Sequence, residues 1–396
     1  VMVWFIISKK KYLITKNEFI VSKSFEALEK SIEIKKDSHQ NIKRYINQGY
    51  LPGVYPNDGI EYKKYYLDLV KKHNFSPVGL YPNIKTLLCD EGYGYIKYKA
   101  DHLGLRNKQK EWENYPYDTI IIGDSYMHGM CVDTQYEVAE ILRSNGRQVI
   151  SFGMGDNQPV QYYYIINQFS KPLAPKNLVV VFYSGNDFGD SDKFEYIKSI
   201  SKKQNFIFSE HHNYHILSND GKKFYEEFNN HYKNEIKEFL KEESVEKEIN
   251  VDIKKIFLLR KIRRILEYKY GIAIKKKKVC YKTKCIQGEY TSGLFNNSEE
   301  VIQTLVKNCN PKNNCNPIIA LLPNSSHWKP GETFFLVRDA FSALVKNYQL
   351  EFSYLKYFDA SKVINANDLR NYAPSGGHLS IKGYNDFAIG LQKHLK

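Results

Sequence analysis

No stretch of this chain is long and apolar enough to cross a bilayer, which takes about 20 consecutive apolar residues. The apolar opening, VMVWFII, runs within a few residues into Lys9-Lys10-Lys11 and has no signal-peptide cleavage pattern. It reads either as the stump of a membrane anchor, since the first residue is Val rather than Met, or as an ordinary first strand. Cysteine is scarce, with six in 396 residues and none in a CxxC spacing. Cys280/Cys285 and Cys309/Cys315 are close pairs with no His at ligand spacing, which argues against a zinc knuckle. Two local disulfides of an oxidising compartment and reduced thiols are both open. Cys89 and Cys131 read as solitary, Cys131 as a packing residue. Acidic residues are in deficit, 44 against 58 Lys and Arg, for a net charge of +14. The excess is scattered, with short clusters at 9–11 and 275–278, and no helix presents a basic recognition face, so nucleic acid is not an expected partner. Internal repeats and low-complexity linkers are also missing.

What is present is enough apolar residue, 42%, for a sizeable core. Tyr and Phe are abundant, but with sparse Ala and common Lys, Asn and Ile they fit an AT-rich coding sequence and carry little functional weight. Residues 1–116 are mixed and read as an N-terminal accessory region. It contains an amphipathic helix at 25–36, a Pro- and Gly-punctuated loop near 50–62, and an alternating segment that turns at Gly104.

From 117 the chain repeats strand, turn, helix. Strands are expected at 119–122, 148–152, 178–182, 317–322 and, weakly, 355–358; helices at 135–144, 160–170, 333–348 and 381–395. Apolar runs without alternation, separated by helices, indicate parallel strands covered on both faces. The expected fold is therefore α/β, a three-layer α/β/α sandwich on a parallel, flavodoxin-like sheet. Residues of about 190–305 interrupt it with a charged, mostly helical insertion. A stripe from Ile256 to Leu266 within it reads as a cap helix or as a membrane-surface helix.

In an open parallel sheet, ligands sit at the carboxyl ends of the strands. Four such ends carry polar or glycine-rich segments: GDS at 123–125, SFGMGDNQP at 151–159, VFYSGNDFGD at 181–190, and APSGGHLSIKGY at 373–384. A serine nucleophile needs a base and donors for the oxyanion that forms. Ser125 can supply the hydroxyl and a backbone N–H, Gly153 an unobstructed N–H, Asn186 a neutral amide, and His378 the base.

This order resembles that of the SGNH hydrolases, the GDSL-type esterases and lipases, over roughly 117–190 and 315–396. The resemblance implies Ser125 as nucleophile, His378 as base, and Ser125, Gly153 and Asn186 as the oxyanion hole, with no cofactor. DHLGLRN at 101–107 resembles a segment that precedes the nucleophile in bacterial members linked to cell-surface polysaccharides. By that analogy, the expected activity is esterase action on an acylated, O-acetyl-bearing glycan on the extracytoplasmic side. An O-acyltransferase and a degenerate glycan-binding module are the alternatives.

One departure stands out. The family places an Asp three residues before the His, and Ser375 occupies that position here. Three readings stay open: a Ser–His dyad with the ring held by a backbone carbonyl or Ser375, an acid reaching His378 from elsewhere, such as Asp368 or Asp359, or a site that only binds. Asp187, Asp190 and Asp192 are expected to be solvated rather than metal-binding, with Asp187 shaping the turn that aims Asn186. Asp124 is expected to support its turn, and His327 is not the expected base.

Overall fold

The computed structural model describes residues 40–53, 60–79, 81–113, 117–188, 194–203, 205–209, 214–241, 277–281, 284–288, 295–322, 324, 333–365, 368–375 and 377–396. The apolar opening, the helix expected at 25–36, the stripe from Ile256 to Leu266, Asp190, Asp192 and His327 lie outside them. The chain divides into two units, 1–49 with 234–272, and 50–233 with 273–396. Every residue of the candidate site belongs to the second.

In chain order the strands are β1 (Leu51–Pro52), β2 (Lys85–Leu87), β3 (Lys97–Lys99), β4 (Thr119–Gly123), β5 (Val149–Gly153), β6 (Asn177–Tyr183), β7 (Phe206–Ser209), β8 (Tyr214–Leu217), β9 (Lys277–Tyr281), β10 (Lys284–Gly288), β11 (Asn316–Leu322) and β12 (Lys356–Asp359). The longer helices that matter for the site are α1 (Val138–Ser144), α2 (Pro159–Leu173), α3 (Asn296–Asn308), α4 (Thr333–Glu351) and α5 (Ile381–Gln392).

The main sheet has the order β12-β11-β6-β4-β5, with every pairing parallel. Numbered along the chain, that is the 2-1-3-4-5 order of flavodoxin-like sheets, read from the β5 edge. β4, β5, β6 and β11 consist of residues that are buried almost throughout, because helices cover both faces. On one face, Ile121, Val179, Val181, Ile318 and Ala320 pack with Val138, Ala139 and Leu142 of α1 and Phe387, Ala388 and Leu391 of α5. On the other, Phe152 meets Phe169 of α2 and Phe182 meets Phe341 of α4. The chain reverses direction in the sheet order between β4 and β6, and this switch point opens the crevice in which the polar turns gather.

The expected strands and helices of 117–182 and 317–395 are all present, with ends moved by a few residues. The insertion differs from expectation. Beside a long helix (Asn219–Lys241) it holds two antiparallel hairpins, β7–β8 and β9–β10, with positions 280 and 285 in register in the second. Residues 85–99 keep the expected alternating segment as β3 and add strand partners to it. They form a small sheet in which β2 pairs with β1 in parallel and with β3 antiparallel, and the β2–β3 loop carries Cys89 and Glu91. Among the described residues, no helix is long and apolar enough to cross a membrane.

Candidate active site

The turn after β4 is built by Asp124. Its backbone carbonyl accepts the His128 N–H (3.0 Å) and its Oδ1 accepts the Tyr126 N–H (3.0 Å). Two glycines let the turn lie close to the sheet. A Cβ on Gly123 would stand 2.4 Å from Met127 Cγ, and one on Gly153 would stand 2.1 Å from the Met127 carbonyl carbon. Ser125 is thereby held at the carboxyl end of β4, partly exposed.

His378 reaches Ser125 from the far end of the chain. Its Nε2 lies 3.0 Å from Ser125 Oγ. The segment before α5 is fixed by the Ala373 N–H to His378 carbonyl bond (2.9 Å) and by Ser380, whose hydroxyl caps α5 by accepting the Gly383 N–H (3.0 Å). Tyr126 packs its ring against the imidazole, 5.0 Å between centroids, and donates its hydroxyl to the Gly377 carbonyl (2.7 Å).

The other ring nitrogen meets an acid absent from the sequence reading. His378 Nδ1 lies 2.8 Å from Glu91 Oε1. Glu91 Oε2 accepts the His378 N–H (3.1 Å), and Oε1 also faces the Gly377 N–H (3.4 Å). Burial acts to raise the Glu91 carboxyl, but the hydrogen bond from His378, its charge and the two backbone N–H groups outweigh it and hold the pKa below the usual glutamate value. Glu91 therefore stays a carboxylate and fixes which imidazole nitrogen carries the proton, leaving Nε2 to face the serine.

The acids considered from sequence do not reach the ring. Asp368 caps a short 3-10 turn and pairs with Arg370, 2.7 Å from its Nη2, and Asp359 accepts the Ser361 N–H and hydroxyl. Ser375 is exposed, and its N–H donates to the Glu91 carbonyl (3.0 Å). It thus holds the segment that supplies the acid, not the ring. In place of a two-residue pairing, the structure lines up Ser125, His378 and Glu91.

The expected oxyanion donors divide. Gly153 does not offer its N–H, which donates to Ser151 Oγ (3.1 Å); its lack of a side chain serves the close passage of Met127. Asn186 sits exposed at the end of β6, with no hydrogen bond to its side chain among the described residues. Asp187 closes that turn as expected. Against expectation it is buried rather than solvated, because its Oδ2 accepts the Tyr183 N–H (2.6 Å) and the Tyr162 hydroxyl (2.9 Å). Burial raises the Asp124 carboxyl to about 7, and burial together with the nearby Asp124 charge pushes Asp187 well up.

The Asp101–Asn107 segment proves to be scaffolding for the nucleophile turn. Asp101 is buried and accepts the Leu103 and Leu105 N–H groups, the Asn107 amide and the Trp112 indole N–H. Arg106 donates to the carbonyls of His128, Gly129 and Val132 and to Thr134 Oγ1. The stretch following Ser125 is thus held by a buried guanidinium. His128 beneath it is forced down to about 3 by burial and by the Arg106 charge, so it is neutral and structural.

Cys89 and Cys131, expected to be solitary, form a disulfide, and so do Cys309 and Cys315. Donor atoms of Glu91, Cys131 and His378 lie within 4.8 Å of one another. With its sulfur in a disulfide, Cys131 offers no thiolate, so the trio lacks the ligand that would make it a zinc set.

The chain is similar to solved GDSL-type proteins. They include a G-D-S-L family protein of Desulfitobacterium hafniense (10% identity, 70% of this chain and 99% of that one, TM-score 0.35). A GDSL-like lipase of Bacteroides thetaiotaomicron is also similar (10% identity, 72% and 89%, TM-score 0.33). So is a family 3 carbohydrate esterase of Clostridium thermocellum (12% identity, 70% and 94%, TM-score 0.32). No family model matches the sequence, and no curated protein does. With superpositions this loose, the chemistry has to be read from the site's own atoms.

The sequence reading missed Glu91 because it lies 287 residues before His378 in the chain, in a region with no α/β pattern. The signal available was indirect: a cysteine two residues before it, and a second cysteine six residues after Ser125.

Proposed function

We propose that this protein is a serine ester hydrolase. The observation that carries the reading is the continuous contact Ser125 Oγ–His378 Nε2–Nδ1–Glu91 Oε1, at 3.0 and 2.8 Å, at the switch point of the sheet. His378 Nε2 takes the Ser125 proton as Oγ attacks the acyl carbon. The Glu91 carboxylate stabilises the imidazolium that forms, and the Ser125 N–H and the Asn186 amide face the developing oxyanion. His378 then returns the proton to the leaving alkoxide. Water, activated by the same imidazole, releases the acyl group and frees Ser125.

The substrate proposed is an O-acyl ester of a glycan, in the simplest case O-acetyl. The resemblance of residues 101–107 to polysaccharide-linked proteins and the net charge of +14, which draws acidic polymers, support that class. Disulfides support an extracytoplasmic setting.

The deciding experiment follows p-nitrophenyl acetate turnover and the intact mass after exposure to a fluorophosphonate. A mass gain and turnover in the wild type, both lost in Ser125→Ala, are expected. A wild type that neither turns over nor labels would overturn the reading and leave a binding module. Acetate release from acetylated glycans, with and without added sugar acceptors, then separates transfer to water from transfer to a hydroxyl.

A further inference from the structure

We infer that the Cys89–Cys131 disulfide is a positioning element of this site, holding Glu91 against His378 so that full turnover requires the oxidised bond. The inference rests on the serine hydrolase reading above.

Glu91 does not come from the main sheet. It sits in the β2–β3 loop of the small sheet, beside the exposed residues Asp90, Gly92, Tyr93 and Gly94. Its noncovalent holds run mainly to the 374–378 loop: the Ser375 N–H on its carbonyl, and the Gly377 N–H, His378 N–H and His378 Nδ1 on its carboxylate. Pro374, Ser375 and Gly377 are themselves exposed. Two surface loops that grip each other fix their mutual position, and their joint position relative to Ser125 rests noncovalently on Tyr126, whose hydroxyl donates to the Gly377 carbonyl (2.7 Å).

The disulfide supplies a covalent tie on the Glu91 side. Cys131 is fully buried and belongs to the nucleophile's own turn, where the Met130 N–H donates to the Ser125 carbonyl (3.1 Å). The Cα atoms of Cys89 and Cys131 are 5.2 Å apart, and Glu91 follows Cys89 by two residues. A closed circuit results: Ser125, the turn to Cys131, the S–S bond, Cys89, Glu91, His378, and back to Ser125 Oγ. A small apolar cluster of Leu88, Ile96, Tyr98, Ala100, Met130 and Cys131 surrounds the bond and gives it a fixed seat. Cys131 Sγ is 4.0 Å from His378 Nδ1, so a thiol freed there would stand beside the nitrogen that Glu91 now holds. Reduction by dithiothreitol breaks the S–S bond and forms two thiols. The reagent gives up two electrons and two protons and leaves as its cyclic disulfide.

The test compares p-nitrophenyl acetate kinetics of the wild type and a Cys89→Ala/Cys131→Ala variant, each with and without Glu91→Gln. Displacement of a positioning carboxylate by about 1 Å is expected to lower kcat about ten- to a hundredfold, with KM within about twofold. Glu91→Gln should then cost much less in the disulfide-free protein than in the wild type, because both changes act through one contact. A purely structural bond would leave the cost of Glu91→Gln equal in both backgrounds, which would overturn the inference. Should the double variant not fold, dithiothreitol titration of folded wild type decides, with alkylated cysteines mapped by mass. Loss of kcat that tracks Cys89 and Cys131 and returns on reoxidation is expected; unchanged kcat with both alkylated would sink the proposal. A wild type that fails to label with fluorophosphonate defeats the hydrolase reading itself, whereas labelling with disulfide-independent kcat defeats only this inference.

Discussion

His378 stands between two regions built in different ways. On its Nε2 side is Ser125, at the end of a buried parallel strand, with its turn set by the Asp124 bonds and by two glycines at which a Cβ would stand within 2.4 Å of Met127. On its Nδ1 side is Glu91, on an exposed loop of a small sheet that shares no hydrogen-bonded strand with the main one. The first side is placed by packing, and its geometry follows from the sheet. The second is placed by a handful of specific bonds and a disulfide. The position of Ser125 thus comes from the fold, while the acid beside His378 is recruited from outside the main sheet.

The largest test of the comparison removes the sheet's contribution. Ser125→Ala should lower kcat/KM by about 10⁴-fold or more, leaving only what binding supplies. Removing the recruited side should cost less. Glu91→Gln keeps the shape and loses the charge, and a drop of about 10³-fold in kcat with little change in KM is expected. If Glu91→Gln retained wild-type kcat, the second region would be ornament and a Ser–His dyad would be restored.

Arg106 tests a different use of the same N-terminal region. Its guanidinium joins the 101–107 segment to the turn after Ser125 and lies near Glu137, which burial raises to about 7 even with Arg106 and Arg143 nearby. Arg106→Met leaves three carbonyls without that donor and Glu137 with one fewer cation, and stability should fall by about 3 kcal/mol in denaturant melts. Glu91→Gln should cost clearly less in the same melts, since only the pairing of a part-buried carboxylate with the 377–378 loop is weakened. That separation would show one residue of the region serving the fold and another serving the chemistry.

The two regions were unequally legible in the sequence. Ile120, Ile121 and Ile122 declare a strand buried on both faces, and the polar turns at 123–125, 153–158 and 184–187 mark strand ends, while the resemblance to the GDSL-type order singled out Ser125 and His378. Gly153 was misassigned because a glycine at a strand end signals close approach without saying whether its N–H is free; here Ser151 Oγ takes it. Glu91 carries no local pattern, since a long-range contact to a His loop leaves no periodicity. Cys89 and Cys131 looked solitary because disulfide geometry depends on Cα separation in space, 5.2 Å here, across 42 residues of chain.

A smaller effect separates the buried carboxyl of the sheet from the recruited one. Asp124 has a folded pKa raised to about 7 by burial, so the folded state binds more protons than the unfolded state between about pH 4 and 7. The stability this contributes is fully present below the unfolded value and is lost as pH rises through 7. Glu91 has the opposite sign: its lowered pKa contributes stability above the unfolded value, lost as pH falls through the folded one. Asp124→Asn should flatten the decline of stability from pH 4 to 7, measured by denaturant midpoints, and Glu91→Gln should not.

The smallest effects are expected where the sequence first pointed. Asp368→Asn and Ser375→Ala should each leave kcat/KM within about twofold of wild type, a span too small for loss of a positioned charge. Asp368 faces Arg370 at the surface, and Ser375 contributes only its backbone N–H to Glu91. Introducing an acid at Ser375 sharpens the point. Ser375→Asp in the Glu91→Gln background asks whether the His loop alone can carry the carboxylate. The Ser375 side chain is exposed while its N–H is tied to the Glu91 carbonyl, so the loop is oriented by the very segment it would replace. Recovery of less than about tenfold in kcat is expected, because a charge held on an exposed loop is poorly oriented and screened by solvent. Full recovery would mean that the position of the acid is interchangeable, and that the small sheet and its disulfide serve some other end.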